Sequence, residues 1–371
     1  MFTLEALSAK HGDALLLHYG KGKTRRLILI DGGPAGVYRL NVRPRLQELG
    51  SGAPLPLRMV MVSHLDADHI TGVLDMFKDL RKACDQGDAP PYEIATLWVN
   101  SFKEGLAATD AVKPAELASG VSLASLGDGL VPKGLRLDED VLADLASVQQ
   151  GVRLRDDANA LGTSTNDPFN DLVMAPVSGA STVDIGDGLS FTVVAPNAKR
   201  IEALKAEWVK KTKAAKVSPA ALAAYVDGSV YNLSSIVVLA TFGNKRMLLT
   251  GDARGDDIIA ALSAAKLLKG NALHVDLLKV PHHGSERNVE KEFFERVTAD
   301  HYVISADGKY ANPDTDMLKM LTQARGAYHY TIWFTNKVQR VANFFSKDAK
   351  KDRNYKVVYR ERKDVSIEIA L

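Results

Sequence analysis

Apolar positions near the start of the chain fall in short runs separated by turn-forming residues. Ala14-Leu15-Leu16-Leu17-His18-Tyr19 and Arg26-Leu27-Ile28-Leu29-Ile30 read as strands, with Gly20-Lys21-Gly22-Lys23 as the hairpin turn between them. The second run stops at Asp31-Gly32-Gly33-Pro34, a sharp exit from a sheet. A helical stretch over 42–49, a Gly/Pro break and the apolar run Leu57-Arg58-Met59-Val60-Met61-Val62 follow. The pattern then predicts a helix from 71 to about 82, closed by Pro90-Pro91, and a strand over 93–99. The stretch 102–180 is the least regular. It holds an acidic amphipathic helix near 138–150 and the polar loop Leu161-Gly162-Thr163-Ser164-Thr165-Asn166-Asp167, and reads as an insertion outside the core sheet.

A second strand series starts at Leu189-Ser190-Phe191-Thr192-Val193-Val194. A basic helical segment over 199–225 intervenes. Then Ser235-Ile236-Val237-Val238-Leu239-Ala240-Thr241-Phe242, a Gly243-Asn244 turn and Lys245-Arg246-Met247-Leu248-Leu249-Thr250 form a hairpin that mirrors the first. A helix near 257–268 leads to His274-Val275-Asp276-Leu277-Leu278-Lys279-Val280. Two halves, each with strands and then helices, predict an α/β fold: two sheets face to face with helices outside, a four-layer α/β/β/α sandwich. The expectation is a single domain over 1–371, with inserts at about 102–180 and 199–230.

Three of these strands end in residues that bind metals. The first gives Ser63-His64-Leu65-Asp66-Ala67-Asp68-His69, two imidazoles and two carboxylates directly after a buried run. A strand ending so delivers nitrogen and oxygen donors to one point, as a hydrolytic metal centre requires. His64 and Asp66, two apart, can point to the same side of an extended segment, while Asp68 and His69 approach from the turn. The second strand end gives Thr250-Gly251-Asp252, whose carboxylate has two oxygens and can bridge two cations. The third gives Pro281-His282-His283-Gly284-Ser285, where either histidine can ligate and Ser285 can bond a phosphate oxygen. In layered α/β folds such strand ends gather at one edge of the sheet.

Composition narrows this only a little. A formal charge of +2 over 371 residues argues for no particular partner. The single Cys84 excludes an internal disulfide framework and a thiolate metal cage. No signal-peptide pattern and no apolar run of spanning length is present, so a cytoplasmic protein without a membrane segment is expected. Local charge is more telling. Lys205, Lys210, Lys211 and Lys213 lie in the basic segment and could track a phosphate backbone, although a solvated helix face accounts for them equally simply. The tail over 337–363 interleaves lysines and arginines with Phe344, Phe345, Tyr355 and Tyr359. It reads either as a grip on single strands or as edge strands guarded by lysines. His11, His18, His274, His301 and His329 sit outside any ligand-spaced cluster and read as ordinary polar residues.

The residues that carry chemistry resemble the metallo-β-lactamase-fold hydrolases, in particular the nuclease-like branch typified by the DNA-uptake protein ComEC, here without its membrane channel. Gly12-Asp13, Asp31-Gly32-Gly33, Ser63 to His69, Asn232 to Leu239, Leu249 to Asp252, Leu278 to Ser285 and Ile304-Ser305-Ala306 fall in that family's order. The resemblance implies His64 and Asp66 at a first metal position, Asp68 and His69 at a second, Asp252 between them and one of His282/His283 at the second. It also implies that Asp31 lies beside the ligands. The commonest family pattern has histidine where Asp66 stands and another before the bridging aspartate; this chain has no histidine between His69 and His274. An oxygen-rich site suits one or two divalent ions such as Mn²⁺ or Zn²⁺, with Mg²⁺ a further option. The implied activity is a nuclease or phosphodiesterase using metal-activated water. Asp68 or Asp252 would hold that water, and the histidine of the His282/His283 pair that does not ligate would supply a proton. A hydrolase of a lactone, thioester or cyclic nucleotide, and a non-catalytic scaffold of the same fold, are the rival expectations.

Overall fold

Aliphatic and β-branched runs set the strands, and the chain lays them out in two series. The computed structural model describes residues 1–22, 24–50, 54–101, 139–200, 235–347 and 354–371, and only the backbone of 139–149. The first series holds β1 (Phe2–Leu7), β2 (Leu15–Tyr19), β3 (Arg26–Ile30), α1 (Arg43–Leu49), β4 (Leu55–Leu57) and β5 (Met59–Val62). It continues with α2 (Ala67–Gln86), β6 (Tyr92–Ile94), β7 (Thr96–Val99), α3 (Glu139–Ala160) and β8 (Ser164–Thr165). The second series opens with β9 (Ser181–Gly186), β10 (Leu189–Ala195), β11 (Val237–Phe242), β12 (Lys245–Leu249), α4 (Gly255–Ala264) and β13 (Leu273–Lys279). It closes with α5 (Lys291–Arg296), β14 (Val297–Ile304), α6 (Thr315–Arg325), β15 (Tyr330–Phe334), α7 (Gln339–Lys347), β16 (Tyr355–Tyr359) and β17 (Ser366–Ala370).

One sheet has the order β17-β1-β2-β3-β5-β7-β8, the other β16-β15-β14-β13-β12-β11-β10-β9, and β4 and β6 form a small ribbon. In the first sheet β3, β5 and β7 are parallel; in the second β12 to β16 are parallel. Side chains on a strand alternate between faces, and the burial follows that period. On β11, Val238 and Ala240 enter a core shared with Leu4, Leu17, Ile28, Met61 and Trp98 of the first sheet. Val237 and Leu239 turn the other way, onto a core built with Ile258, Phe293, Leu318 and Phe345 of the helices. The outer face of the first sheet is covered in the same manner by α1, α2 and α3, through Leu46, Val73, Phe77 and Leu154. The protein is therefore a mixed α/β structure whose two sheets share one core while helices cover both outer faces.

Several sequence expectations are revised. The predicted strand over 93–99 is two strands, β6 and β7, in different sheets. The described part of the 102–180 stretch is no appendage. β8 pairs in parallel with β7, Asn166 is buried and bonds both the amide and the carbonyl of Val99, and Val173 enters the shared core. Residues 102–138 lie outside the described residues, as do Lys205, Lys210, Lys211 and Lys213. In the tail, Tyr355 stacks on Tyr330 at 5.3 Å and Tyr359 on Phe334 at 5.3 Å, with β16 at the edge of its sheet. Those aromatics are part of the fold's packing, which favours the edge-strand reading over a grip on nucleic acid. Among the described residues no helix is long and apolar enough to cross a membrane.

The outward face of β1 carries one buried polar knot. Glu5 accepts hydrogen bonds from Arg45 on α1 at 2.6 Å and from Ser366 on β17 at 2.5 Å, and pairs with His18 on β2 at 2.7 Å. Burial would push its carboxyl up, but His18, Arg45 and Ser366 hold it down at about 2. His18 thus has the ordinary polar role expected of it. A network spread over four elements fixes their relative positions more than it adds net stability.

Candidate metal centre

The carboxyl ends of β3, β5, β12, β13 and β14 all point toward one edge of the two sheets, where the chain turns out of each strand. Asp31 follows β3, Ser63 to His69 follow β5, Thr250 to Asp252 follow β12, Pro281 to Ser285 follow β13 and Ser305 follows β14. The loop before β2 joins them. A Cβ at Gly12 would lie 1.9 Å from the carbonyl oxygen of Asp68, so only glycine lets this loop press against the start of α2. The next residue, Asp13, is thereby carried into the cluster.

Asp13, His69, Asp252 and His283 each bring one ligand atom into a group whose members lie within 4.8 Å of one another, and this group could hold a metal ion. His69 Nε2 is 3.2 Å from His283 Nε2 and 3.4 Å from Asp252 Oδ1. His283 Nε2 is 3.4 Å from Asp252 Oδ2 and 3.3 Å from Asp68 Oδ2. His64 lies against the His69 ring, with centroids 4.0 Å apart, and its Nε2 is 3.8 Å from Asp252 Oδ2 and 3.5 Å from Asp66 Oδ2. His282 approaches the same oxygen to 3.7 Å, its side chain 41% exposed at the rim. The structure thus brings Asp68, His69, Asp252 and His283 together, with His64, Asp66 and His282 flanking Asp252. Ser285 is buried and accepts the Arg287 amide hydrogen at 3.4 Å; among its hydrogen bonds none reaches the ligand group.

The imidazoles are oriented from behind. Asp31 Oδ1 accepts the Ser63 amide at 2.7 Å and Oδ2 accepts the Ser63 hydroxyl at 2.7 Å. The same Oδ2 accepts His69 Nδ1–H at 2.8 Å. With its own proton given to Asp31, the Ser63 hydroxyl accepts His64 Nδ1–H at 3.1 Å. His283 Nδ1–H donates to the Ser305 carbonyl at 3.0 Å. Each Nδ1 is thereby occupied, and all three Nε2 atoms turn toward Asp252. Such outer partners fix ring orientation in metal sites. His64 Nε2 and Asp252 Oδ1 are buried without a hydrogen-bond partner among the described residues. Orphaned donor atoms of this kind are what a bound cation would satisfy. The backbone is strained at the same spot: Asp31, His282 and His283 have φ of 57°, 45° and 53°. Left-handed non-glycine residues persist only where their surroundings hold them.

Two participants are not among the site residues named from the sequence, although Gly12-Asp13 and Leu278 to Ser285 are among the segments that carry the resemblance. Asp13 is one; the other is Lys279, the last residue of β13. Alternation puts its side chain on the same face as Leu277, between the sheets, where it is 1% exposed. Its ammonium pairs with Asp13 and lies 3.9 Å from Asp252 Oδ1. Burial would pull the ammonium down, yet Asp13 and Asp252 hold it above the usual lysine range. The readable signal was a lysine closing an otherwise apolar strand directly before Pro281-His282-His283. For Asp13 it was an acid after glycine at the head of a long strand.

Charge balance in the cluster is tight. Burial would raise the Asp252 carboxyl, but the His283 and His69 imidazoles hold it well below its ordinary value. Burial would likewise lower His69 and His283, and Asp252 outweighs it, joined by Asp31 for His69 and by Asp13 for His283. The surrounding carboxylates therefore favour the protonated form of this pair above the ordinary 6.5 in the ion-free protein, and with their Nε2 atoms 3.2 Å apart the two rings can share a proton between them. The native state then holds more protons than the unfolded chain above that pH, so stability falls as pH rises through the elevated values. A metal must displace those protons, so its affinity rises over the same window. Melting in EDTA is expected to give a midpoint that declines as pH rises above the ordinary imidazole value of 6.5, while the increment from added Mn²⁺ grows. A flat midpoint in EDTA would mean that the imidazoles are neutral without the ion. Compared with known proteins, the chain matches no family model, and no curated protein matches it significantly.

Proposed function

We propose that this protein is a metal-dependent phosphodiesterase acting on nucleic acid, built on a metallo-β-lactamase fold. The observation that carries the reading is the convergence of Asp13, His69, Asp252 and His283 from separate strand ends, with the Nε2 atoms of His64, His69 and His283 turned toward Asp252. The layering supports it: two sheets share a core, helices lie outside and the cluster sits at the strand ends. With Asp252 the cluster counts four carboxylates, Asp13, Asp66, Asp68 and Asp252, beside four imidazoles, His64, His69, His282 and His283, which suits Mn²⁺ or Mg²⁺ as well as Zn²⁺.

When bound, a divalent ion supplies a lowered pKa to water and neutralises charge developing on phosphate oxygens. The protein's own groups do the rest. Asp252 faces His69 with Oδ1 and faces His64, His282 and His283 with Oδ2, so it is the carboxylate that would tie the cluster together around an ion. Asp68, with a side chain 24% exposed, is the carboxylate placed to orient an attacking water beside His283. His282 stands half-exposed at the rim and is the group that can pass a proton to a leaving oxygen. His283 is buried and oriented by Ser305, so of the pair it is the better ligand.

The test is incubation with end-labelled single- and double-stranded DNA and RNA in Mn²⁺, Mg²⁺ or Zn²⁺. Ion-dependent cleavage of at least one substrate is expected, abolished by EDTA and by the double substitution Asp68→Ala/His69→Ala. If the double variant cuts at the wild-type rate, the site is misassigned. If purified protein binds no divalent ion, the scaffold reading replaces this one.

A further inference from the structure

We infer that Tyr310 and Lys309 form a nucleobase-stacking and phosphate-contacting subsite at the rim of the metal centre. The inference rests on the phosphodiesterase reading and names the part of the substrate that the centre does not touch. Three observations carry it: where the loop is anchored, what it exposes and the conformation in which it is held.

The loop after β14 is tied to the centre at both ends. Ser305, at its start, accepts His283 Nδ1–H on its carbonyl and donates its hydroxyl to the Gly12 carbonyl at 2.7 Å. At its other end the Asp314 amide donates to the carbonyl of Gly284 at 2.9 Å. A Cβ at Gly284, where φ is 79°, would come within 2.7 Å of Pro313, so the loop packs directly on the turn that presents His283. Arg340 clasps the carbonyls of Ala311 and Pro313 from behind.

Between these anchors the loop displays an aromatic ring to solvent. Tyr310 is 72% exposed, among the most exposed large hydrophobic residues of the described chain. Lys309 Nζ lies 4.6 Å from the centroid of that ring and 3.4 Å from His11 Nε2. The His11 ring meets the Tyr310 ring edge-on at 5.5 Å, and His11 is only two residues from Asp13 of the metal cluster. Cation, imidazole and exposed aromatic ring thus stand together beside the centre.

The backbone of this display is held against its preference. Tyr310 has φ 55° and ψ 21°, and Ala311 has φ 64°. A left-handed conformation is costly for a bulky side chain, and two in succession are rare. Packing does not explain it, because the Tyr310 side chain is out in water rather than in the core. Strain maintained to expose an aromatic residue points to a task for that residue. An exposed aromatic beside a lysine is how proteins hold an unpaired base and its phosphate, since every base offers a π face.

The experiment measures binding by fluorescence anisotropy, with Ca²⁺ in place of the hydrolytic ion. The probes are a 5′-labelled twelve-residue deoxyadenosine oligomer and an abasic oligomer of the same length. Wild-type protein is expected to bind the base-bearing oligomer about tenfold more tightly than the abasic one. Tyr310→Ala should erase that preference and Tyr310→Phe should retain it. Lys309→Met should weaken both oligomers by a similar factor and reduce the salt dependence. Tyr310→Gly relieves the left-handed strain, so a merely structural Tyr310 predicts a melting point no lower and an unchanged preference. The inference predicts that the preference is lost whatever the melting point does. A wild-type protein without base preference, or a preference that survives Tyr310→Ala and Tyr310→Gly, overturns it. Cleavage assays keep the two ideas apart. Ion-dependent cleavage without base preference sinks the subsite alone, whereas a Tyr310-dependent preference without cleavage sinks the phosphodiesterase reading alone.

Discussion

Asp252→Asn is expected to lower divalent-ion affinity by more than about 100-fold, since even the outer partners of metal ligands are each worth about 10- to 100-fold. Asparagine keeps the size and one carbonyl oxygen but removes the charge. Asp252 is the residue that His64, His69, His282, His283 and Lys279 all approach within 4 Å. No other carboxylate touches both flanks of the cluster, among the described residues. Ion content after equilibrium dialysis, measured by elemental analysis on wild type, Asp252→Asn and the distant control His274→Ala, reads the effect directly. Cleavage activity should fall with occupancy. Retention of the ion by Asp252→Asn at wild-type affinity would place the centre elsewhere in the molecule.

The second large effect concerns Lys279. Lys279→Met leaves the buried Asp13 carboxylate without its ammonium, and breaking one side of a buried pair costs about 3–5 kcal/mol. Urea midpoints in EDTA should show this loss. The Asp13→Asn/Lys279→Met double variant should be more stable than the sum of the single variants implies, because groups in contact are non-additive. A divalent ion should restore part of the loss in Lys279→Met, since a cation at the cluster can neutralise Asp13 in the ammonium's place. The increment in melting temperature from Mn²⁺ is then larger for Lys279→Met than for wild type. Equal increments would mean that Asp13 takes no part in holding the ion.

Much of this was legible before any coordinates. The apolar runs over 14–19, 26–30, 189–194 and 235–242 correspond to strands β2, β3, β10 and β11, because short aliphatic runs bounded by turn residues have few other ways to be buried. The candidate ligands were legible because histidine and aspartate concentrate at strand ends. Asp13 and Lys279 were harder, since each is a lone charged residue whose meaning depends on a partner far along the chain. Lys279 reads as a strand terminus until Asp13 is set beside it. The edge of the first sheet was missed for a similar reason. β8 is two residues long and is held by Asn166, whose bonds to Val99 leave no periodic trace in the sequence. The tail left two readings open, edge strands or a grip on single strands, because stacked aromatics beside lysines look alike whether they face a ligand or a neighbouring strand.

The placement of donors across both sheets has a consequence for how the molecule is made. Asp13 and His69 come from the first sheet's connections, Asp252 and His283 from the second's, and the separations in sequence are large. Contacts so distant form late, after the chain has paid most of its loop-closure entropy. On the proposed reading an ion would be captured at full strength only once the two halves have docked, and a nascent or half-folded chain would be a poor scavenger of metal. Ion uptake followed in real time during refolding should lag behind the gain of secondary structure and coincide with the burial of Trp98 in the seam between the sheets.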